Sequence, residues 1–300
     1  MGRLSEVYAV AQSETLIVAA TAGEYPALYA WTKAGALIFE LKTPDAAAAT
    51  TLALEGNLAA LGTYEGNIFL VDVESGELVQ TLRGHEDAIG GIILNDEVVS
   101  GSWDGTIRVW DKSGGDCIKT IATGSKVGDL ASNGELIATA LQDGTIRVFE
   151  HDSGKRLRVI REGTDVFGAV AMDTERIVTG SHDCMIRIYA LPSYDLVHVL
   201  SGHSHRVWSV ALEGAYIVSG SADNTVRVWD SDSGEQIHML QDHEGDVQSV
   251  SLVGQEIVSG SWDGTVRAWD LESGSAKYVL NGMEPLLESS SSSSSCLCLW

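Results

Sequence analysis

Ser219-Gly-Ser-Ala-Asp-Asn-Thr-Val-Arg-Val-Trp-Asp230 and Ser259-Gly-Ser-Trp-Asp-Gly-Thr-Val-Arg-Ala-Trp-Asp270 are two copies of one phrase, 40 residues apart. A third copy runs from Ser100 to Asp111, and weaker copies end at Trp31, Val71, Phe149 and Tyr189. With the aromatic position as marker, the copies fall at 31, 71, 110, 149, 189, 229 and 269, always 39 or 40 residues apart. A fixed period of this length marks an array of like supersecondary units.

Each period reads as four short strands. In the last copy Asp246–Leu252 is apolar-rich, Glu256-Ile-Val-Ser-Gly follows a short turn, Asp263-Gly264 opens Thr265–Trp269, and Ser273-Gly274 leads to Tyr278-Val-Leu280. Asp-Gly between β-branched runs is a strong hairpin signal because both residues accept positive φ. It recurs at Asp104-Gly105 and Asp143-Gly144, with Asp223-Asn224 as a near equivalent. A lone four-stranded sheet cannot bury both faces, whereas sheets stacked radially about an axis can. The expected fold is all-β, seven blades of four antiparallel strands over residues 1–282.

The phrase also carries Gly202-His203 26 residues before Trp229, Gly84-His85 25 before Trp110, and Asp242-His243 26 before Trp269. On these residues the chain resembles the WD-repeat β-propeller family over about residues 7–280. The short hairpins between first and second strands look loosely like those of F-box/WD-repeat substrate receptors, although no F-box precedes the first repeat. Many propellers of the family close by lending an N-terminal segment to the last blade. Here only six residues precede Val7 and the seventh copy owns an outer strand, so the clasp is in question and closure with or without it stays open.

Composition narrows the partners. The formal net charge of −23 disfavours general binding to nucleic acid or to anionic membranes, which requires clustered Lys and Arg. No run of eighteen apolar residues exists, and residues 1–10 show no basic region followed by an apolar one. Met1-Gly2 lacks the Ser or Thr that myristoylation expects where Glu6 stands. Cys117, Cys184, Cys296 and Cys298 are too scattered for a disulfide framework, which suggests a cytosolic or nuclear setting.

Three repeats carry a full set of His, Ser, Asp and Trp: His85, Ser100, Asp104 and Trp110; His203, Ser219, Asp223 and Trp229; His243, Ser259, Asp263 and Trp269. Taken singly, each resembles a catalytic Ser-His-Asp arrangement. Repetition around a ring argues otherwise, since catalysis needs one pocket with an oxyanion hole. The family resemblance implies a buried hydrogen-bonded network inside each blade, and the four copies lacking the His are expected to be softer. Arg108, Arg147, Arg187, Arg227 and Arg267, two residues before the marker, read as strand residues with paired heads rather than an anion site. His203-Ser204-His205 is no metal pair once His203 belongs to the network. No cofactor or metal is expected, and none of the familiar catalytic motifs occurs. In the strands expected to line the channel, Asp129 is the one charged residue.

In an antiparallel meander the second-to-third turns and the loops between blades emerge on one face, here termed the top. Tyr64, Trp103, His182 and Trp262 stand just before the turn, and Tyr8, Phe167, Arg206, Trp208 and Gln248 come from the blade-to-blade loops and first strands. Glu24, Gln142 and Ala222 complete the turn set. Tyr, Trp and Arg are the side chains enriched in interface hot spots. Each Trp could instead pack over the edge of its own blade. The opposite face bears Asp72-Val-Glu74, Asp230-Ser-Asp232 and Asp270-Leu-Glu272, an acidic surface that keeps a protein soluble or meets a basic partner. Residues 283–300, with seven consecutive Ser at 289–295, read as a disordered tail.

The expected function is a non-catalytic scaffold or adaptor, a monomer or a subunit of a larger complex, that holds partner proteins on its top face. The alternatives are substrate recognition within a ubiquitin ligase and, in a different class, a propeller-based enzyme.

Overall fold

The computed structural model describes residues 5–22, 26–43, 47–161 and 168–280, together with the backbone of 286–287. The described residues form seven antiparallel sheets that follow one another along the chain, six of four strands and the last of five, each ordered first to last strand without crossover. The first opens with Val7–Gln12 and ends with Leu37–Lys42; the seventh runs from Val247–Val253 to Ala276–Leu280. First strands of successive blades touch around the ring, and Val7–Gln12 touches Val247–Val253, so these strands line a central channel. No helix among the described residues is long and apolar enough to cross a membrane.

The core lies between blades, because each sheet is apolar on both faces. Ala60, Ile68, Leu70 and Leu82 of the second blade pack with Ile89, Ile92, Val98 and Trp110 of the third. Val178, Ile186 and Ile188 of the fifth pack with Val207, Val210, Ile217 and Trp229 of the sixth. Burial of this kind contributes roughly 25 cal/mol per Å² of apolar surface removed from water. What sets the spacing is a small residue in the second strand. A Cβ on Gly62, Gly101, Gly180, Gly220 or Gly260 would lie 2.4–2.8 Å from Ile89, Val127, Val207, Val247 or Val7 of the next blade.

Ring closure uses the same contacts. Val7, Val10 and Trp31 share a cluster with Val258, Val266 and Leu280. The Val10 amide donates to Ser249 Oγ at 3.1 Å, and Gln12 Nε2 donates to the Ser251 and Glu256 carbonyls at 2.9 and 3.0 Å. Lys33 Nζ adds an ion pair to Glu256 at 2.7 Å. Among the described residues, no strand is exchanged between the first and last blades. Leu286–Leu287 pair with Val279 and Tyr278 as a fifth strand at the edge of the seventh sheet. Residues 288–300, with Cys296 and Cys298, lie outside the described residues.

Six first strands carry a bulge at their second residue: Tyr8, Thr50, Gly90, Gly128, Trp208 and Gln248 are skipped in the pairing with the second strand. A bulge re-aims the side chain it carries. These residues stand at the top of the channel.

Candidate functional site

The three His-Ser-Asp-Trp sets come together as continuous chains of hydrogen bonds. In the sixth blade Trp229 Nε1 donates to Ser219 Oγ at 2.9 Å, Ser219 Oγ donates to His203 Nε2 at 2.8 Å, and His203 Nδ1 donates to Asp223 Oδ2 at 2.8 Å. The third and seventh blades repeat it, with His85–Asp104 at 2.7 Å and His243–Asp263 at 2.8 Å. Only a neutral imidazole protonated at Nδ1 satisfies every member. Burial holds His85 and His243 below the ordinary imidazole range, which favours that form. Ser100, Ser219 and Ser259 are wholly buried beneath their Trp, so none can reach a substrate carbonyl.

The Asp of each set faces outward from this chain. Asp223 Oδ2 also accepts the Ser204 amide of the preceding loop at 3.0 Å, and Oδ1 accepts Thr225 Oγ1 and its amide within its own turn. Asp104 and Asp263 tie Glu86 to Thr106 and Glu244 to Thr265 in the same way. Burial works to raise Asp263, but hydrogen bonds and charge from His243 outweigh it and hold the carboxyl well below its usual range. The network therefore staples the blade-to-blade loop to the turn beside it, and both belong to the top face.

Blades without the His manage their turns differently. Asp183 pairs with Arg187 at 2.6 Å, and Asp143 pairs with Arg147. In the first blade Thr21 Oγ1 is engaged by the Ala27 amide and carbonyl, and the buried Trp31 Nε1 has no partner. Arg227 and Arg267 lie 3.9 Å from Asp223 and Asp242, so these strand arginines have carboxylates beside them. Among the described residues, no group of three or more His, Cys, Asp or Glu is placed to hold a metal ion.

Aromatic groups predicted for the top face meet in pairs that bridge neighbouring blades. Tyr8 of the first blade and Trp262 of the seventh lie 5.9 Å apart, ring centre to ring centre. Tyr64 of the second meets Trp103 of the third edge-on at 6.3 Å, and His182 of the fifth meets Trp208 of the sixth at 5.0 Å. Each Trp thus packs across a junction between blades. Tyr64 and Trp262 keep 43% and 40% of their surface exposed, enough to contact a partner. Arg206 lies over Trp208 at 5.9 Å, and Lys126, which the sequence reading did not single out, lies over Trp103 at 4.9 Å. Trp208 Nε1 donates to Asp246 at 3.2 Å. Both ring nitrogens of His182 and Nε2 of Gln248 are buried without a partner. Burial, then the charge of Arg206, lowers the His182 pKa. Phe167 and Glu24 lie outside the described residues.

Between these pairs the channel opens as a cavity of about 390 Å³, bordered by Tyr8, Tyr64, Trp103, Trp208 and Gln248 with Asp129 in its wall. On the opposite face the acidic loops have a local cause. Asp72, Asp230 and Asp270 each accept amide and hydroxyl hydrogen bonds from the Ser three residues on, which hold their carboxyls low and shape the turn.

The family described as "WD domain, G-beta repeat" matches at residues 76–111, 115–150, 194–230 and 234–270. Among solved structures the chain is similar to the crystal structure of the computationally designed Ika8 protein, at 26% identity and a TM-score of 0.73, covering 94% of this chain and 89% of that one. No curated protein matches the sequence. The matched repeats, the 39–40-residue period and the seven four-stranded blades converge, and the chain is a seven-bladed β-propeller of the WD40 repeat family.

Proposed function

We propose that this propeller is a non-catalytic interaction scaffold that holds a segment of a partner protein across the top of its channel. The carrying observation is the set of three inter-blade aromatic pairs around the cavity. WD40 propellers commonly serve as protein-interaction platforms, and that general habit supports the reading. The energetic logic is preorganisation. The buried networks fix the loops before binding, so little side-chain and loop entropy remains to be lost. Rigid aromatic anchors around a concavity are what hot spots are made of. The formal charge of −23 favours proteins over nucleic acids as partners. Free thiols at Cys117 and Cys184 suit a cytosolic or nuclear setting. A ubiquitin-ligase receptor role has no observation of its own to favour it.

The test is a quantitative affinity capture from native cells, comparing wild type with a Trp103→Ala/Trp208→Ala/Trp262→Ala variant of unchanged β-sheet circular dichroism. Partners lost only with the variant support the top face. An unchanged partner list defeats it.

A further inference from the structure

The channel mouth is lopsided. The bulged position carries Tyr8, Trp208 and Gln248 on one side, and on the other Gly90 and Gly128, followed by Gly168 at the same repeat position. At two of these glycines the backbone leaves no choice. A Cβ on Gly90 would stand 2.1 Å from the Val127 carbonyl, and one on Gly168 2.5 Å from the Gly180 carbonyl. At the bulged position itself, three successive blades thus carry no side chain. Asp129 sits in the middle blade of the three. Among the described residues it is the one carboxylate bordering the cavity, and none of the described Lys, Arg or His borders it.

Asp129 Oδ1 accepts the Leu130 amide at 2.8 Å, and Oδ2 accepts the Val170 amide of the next blade at 2.9 Å. Both donors are neutral, so each oxygen retains accepting capacity and the charge has no counter-charge among them. Across the opening, Tyr8 and Trp208 offer aromatic surface to an aliphatic stem or a cationic head. Gln248 Nε2, buried and unpartnered, is a donor suited to a backbone carbonyl.

We propose that the mouth takes one Lys or Arg side chain of a partner peptide, its cationic head against Asp129 and its stem along Tyr8 and Trp208. This deepens the scaffold reading above and rests on it. Burial pushes the Asp129 carboxyl up to about 7, so ionisation there is costly until a cation sits beside it. The net charge of −23 favours basic segments as partners.

Asp129 has a built-in control. Ser209 and Ser249 occupy its position in the sixth and seventh blades and accept the Val250 and Val10 amides at 3.1 Å, the same inter-blade bond that Asp129 makes to Val170. Asp129→Ser therefore removes the charge and retains an acceptor for the staple. Random linear peptides displayed on phage would be selected against purified full-length wild type, Asp129→Ser and Trp208→Ala. The expected consensus from wild type holds one fixed basic position. With Asp129→Ser that position alone loses its preference, and the wild-type peptide binds about tenfold more weakly or worse, while its norleucine-substituted version is unaffected. A consensus that Trp208→Ala abolishes but that contains no basic position, or one whose basic position survives Asp129→Ser, overturns the cation site and leaves the top-face reading standing. Failure to select any peptide overturns both.

Discussion

Trp229 donates its indole Nε1 to Ser219 Oγ at 2.9 Å, whereas Trp31, at the same place in the first blade, has a buried Nε1 with no acceptor. Both side chains are buried, so the missing acceptor is the main polar difference between them. Trp229→Phe removes the head of a four-residue chain and should cost about 1–2 kcal/mol beyond the packing loss. Trp31→Phe deletes an unsatisfied donor and should cost markedly less. Urea denaturation of both variants decides this, and equal costs would mean that the network adds nothing to blade stability.

The contrast also shows what the sequence made legible. The period, the four strands and the His-Ser-Asp-Trp sets follow from residue types at fixed spacing, because each blade solves the same packing problem with the same residues. Gly62, Gly101, Gly180, Gly220 and Gly260 recur at that spacing too, yet their meaning depends on the neighbouring blade, which no single repeat reveals. The bulge at Tyr8, Trp208 and Gln248 has no residue signal, since register is settled by pairing geometry. Lys126 over Trp103 was invisible for a similar reason: the two come from different blades. Asp129 stood out as a lone charge, but its amide partner Val170 and the glycine gap above it emerge only when blades three to five are set side by side.

Asp129→Ser should alter stability in a pH-dependent way. The folded-state pKa of about 7 lies above the unfolded carboxylate value near 3.9, so the folded protein binds this proton more tightly than the unfolded chain. The contribution is fully present below about pH 4 and is lost as pH rises through about 7. Replacing the group with Ser should therefore raise Tm relative to wild type more at pH 8 than at pH 5. A Tm difference that does not vary with pH would remove Asp129 from the list of titrating groups.

The His-Asp networks act in the opposite direction. His85 and His243 lie below their unfolded value near 6.5, so the folded state resists their protonation and stability is lost as pH falls below about 6.5. For Asp104, burial works upward, but hydrogen bonds from Thr106 and His85 outweigh it and hold the pKa low; the Asp223 and Asp263 carboxyls are likewise depressed. Their contribution is present above about pH 4 and disappears as pH falls further. Thermal scans from pH 8 to pH 3 in the Asp129→Ser background, where the opposing titration is absent, should show a decline that begins between pH 7 and 6 and steepens below 4. A flat profile down to pH 4 would show that these histidines titrate alike folded and unfolded.

Ring closure offers the sharpest packing test. Gly260 of the seventh blade faces Val7 and Val10 of the first, and a Cβ there would stand 2.6 and 2.7 Å from their Cγ1 atoms. Both contacts are with β-branched side chains of low χ1 freedom, so the collision cannot be relieved by a flexible tip. Gly260→Ala should cost about 1–3 kcal/mol, the range for overpacking a filled core. The first blade shows how the protein accommodates the extra methyl: Ala20 takes the glycine's position, and the next blade answers with Ala49 where the first, third, fourth, sixth and seventh blades carry Val or Ile. Val7→Ala on its own should also destabilise, by leaving a cavity at the closing junction. Combined, Gly260→Ala and Val7→Ala reproduce the Ala20–Ala49 pairing, and the double variant should be more stable than the sum of the single losses by about 1 kcal/mol or more. Chemical denaturation of the four proteins closes the cycle. Strict additivity would mean that the first and last blades do not meet at Gly260 and Val7 in solution, and that the ring is held shut by its other contacts, among them those of Val10 to Ser249 and of Gln12 and Lys33 to Glu256.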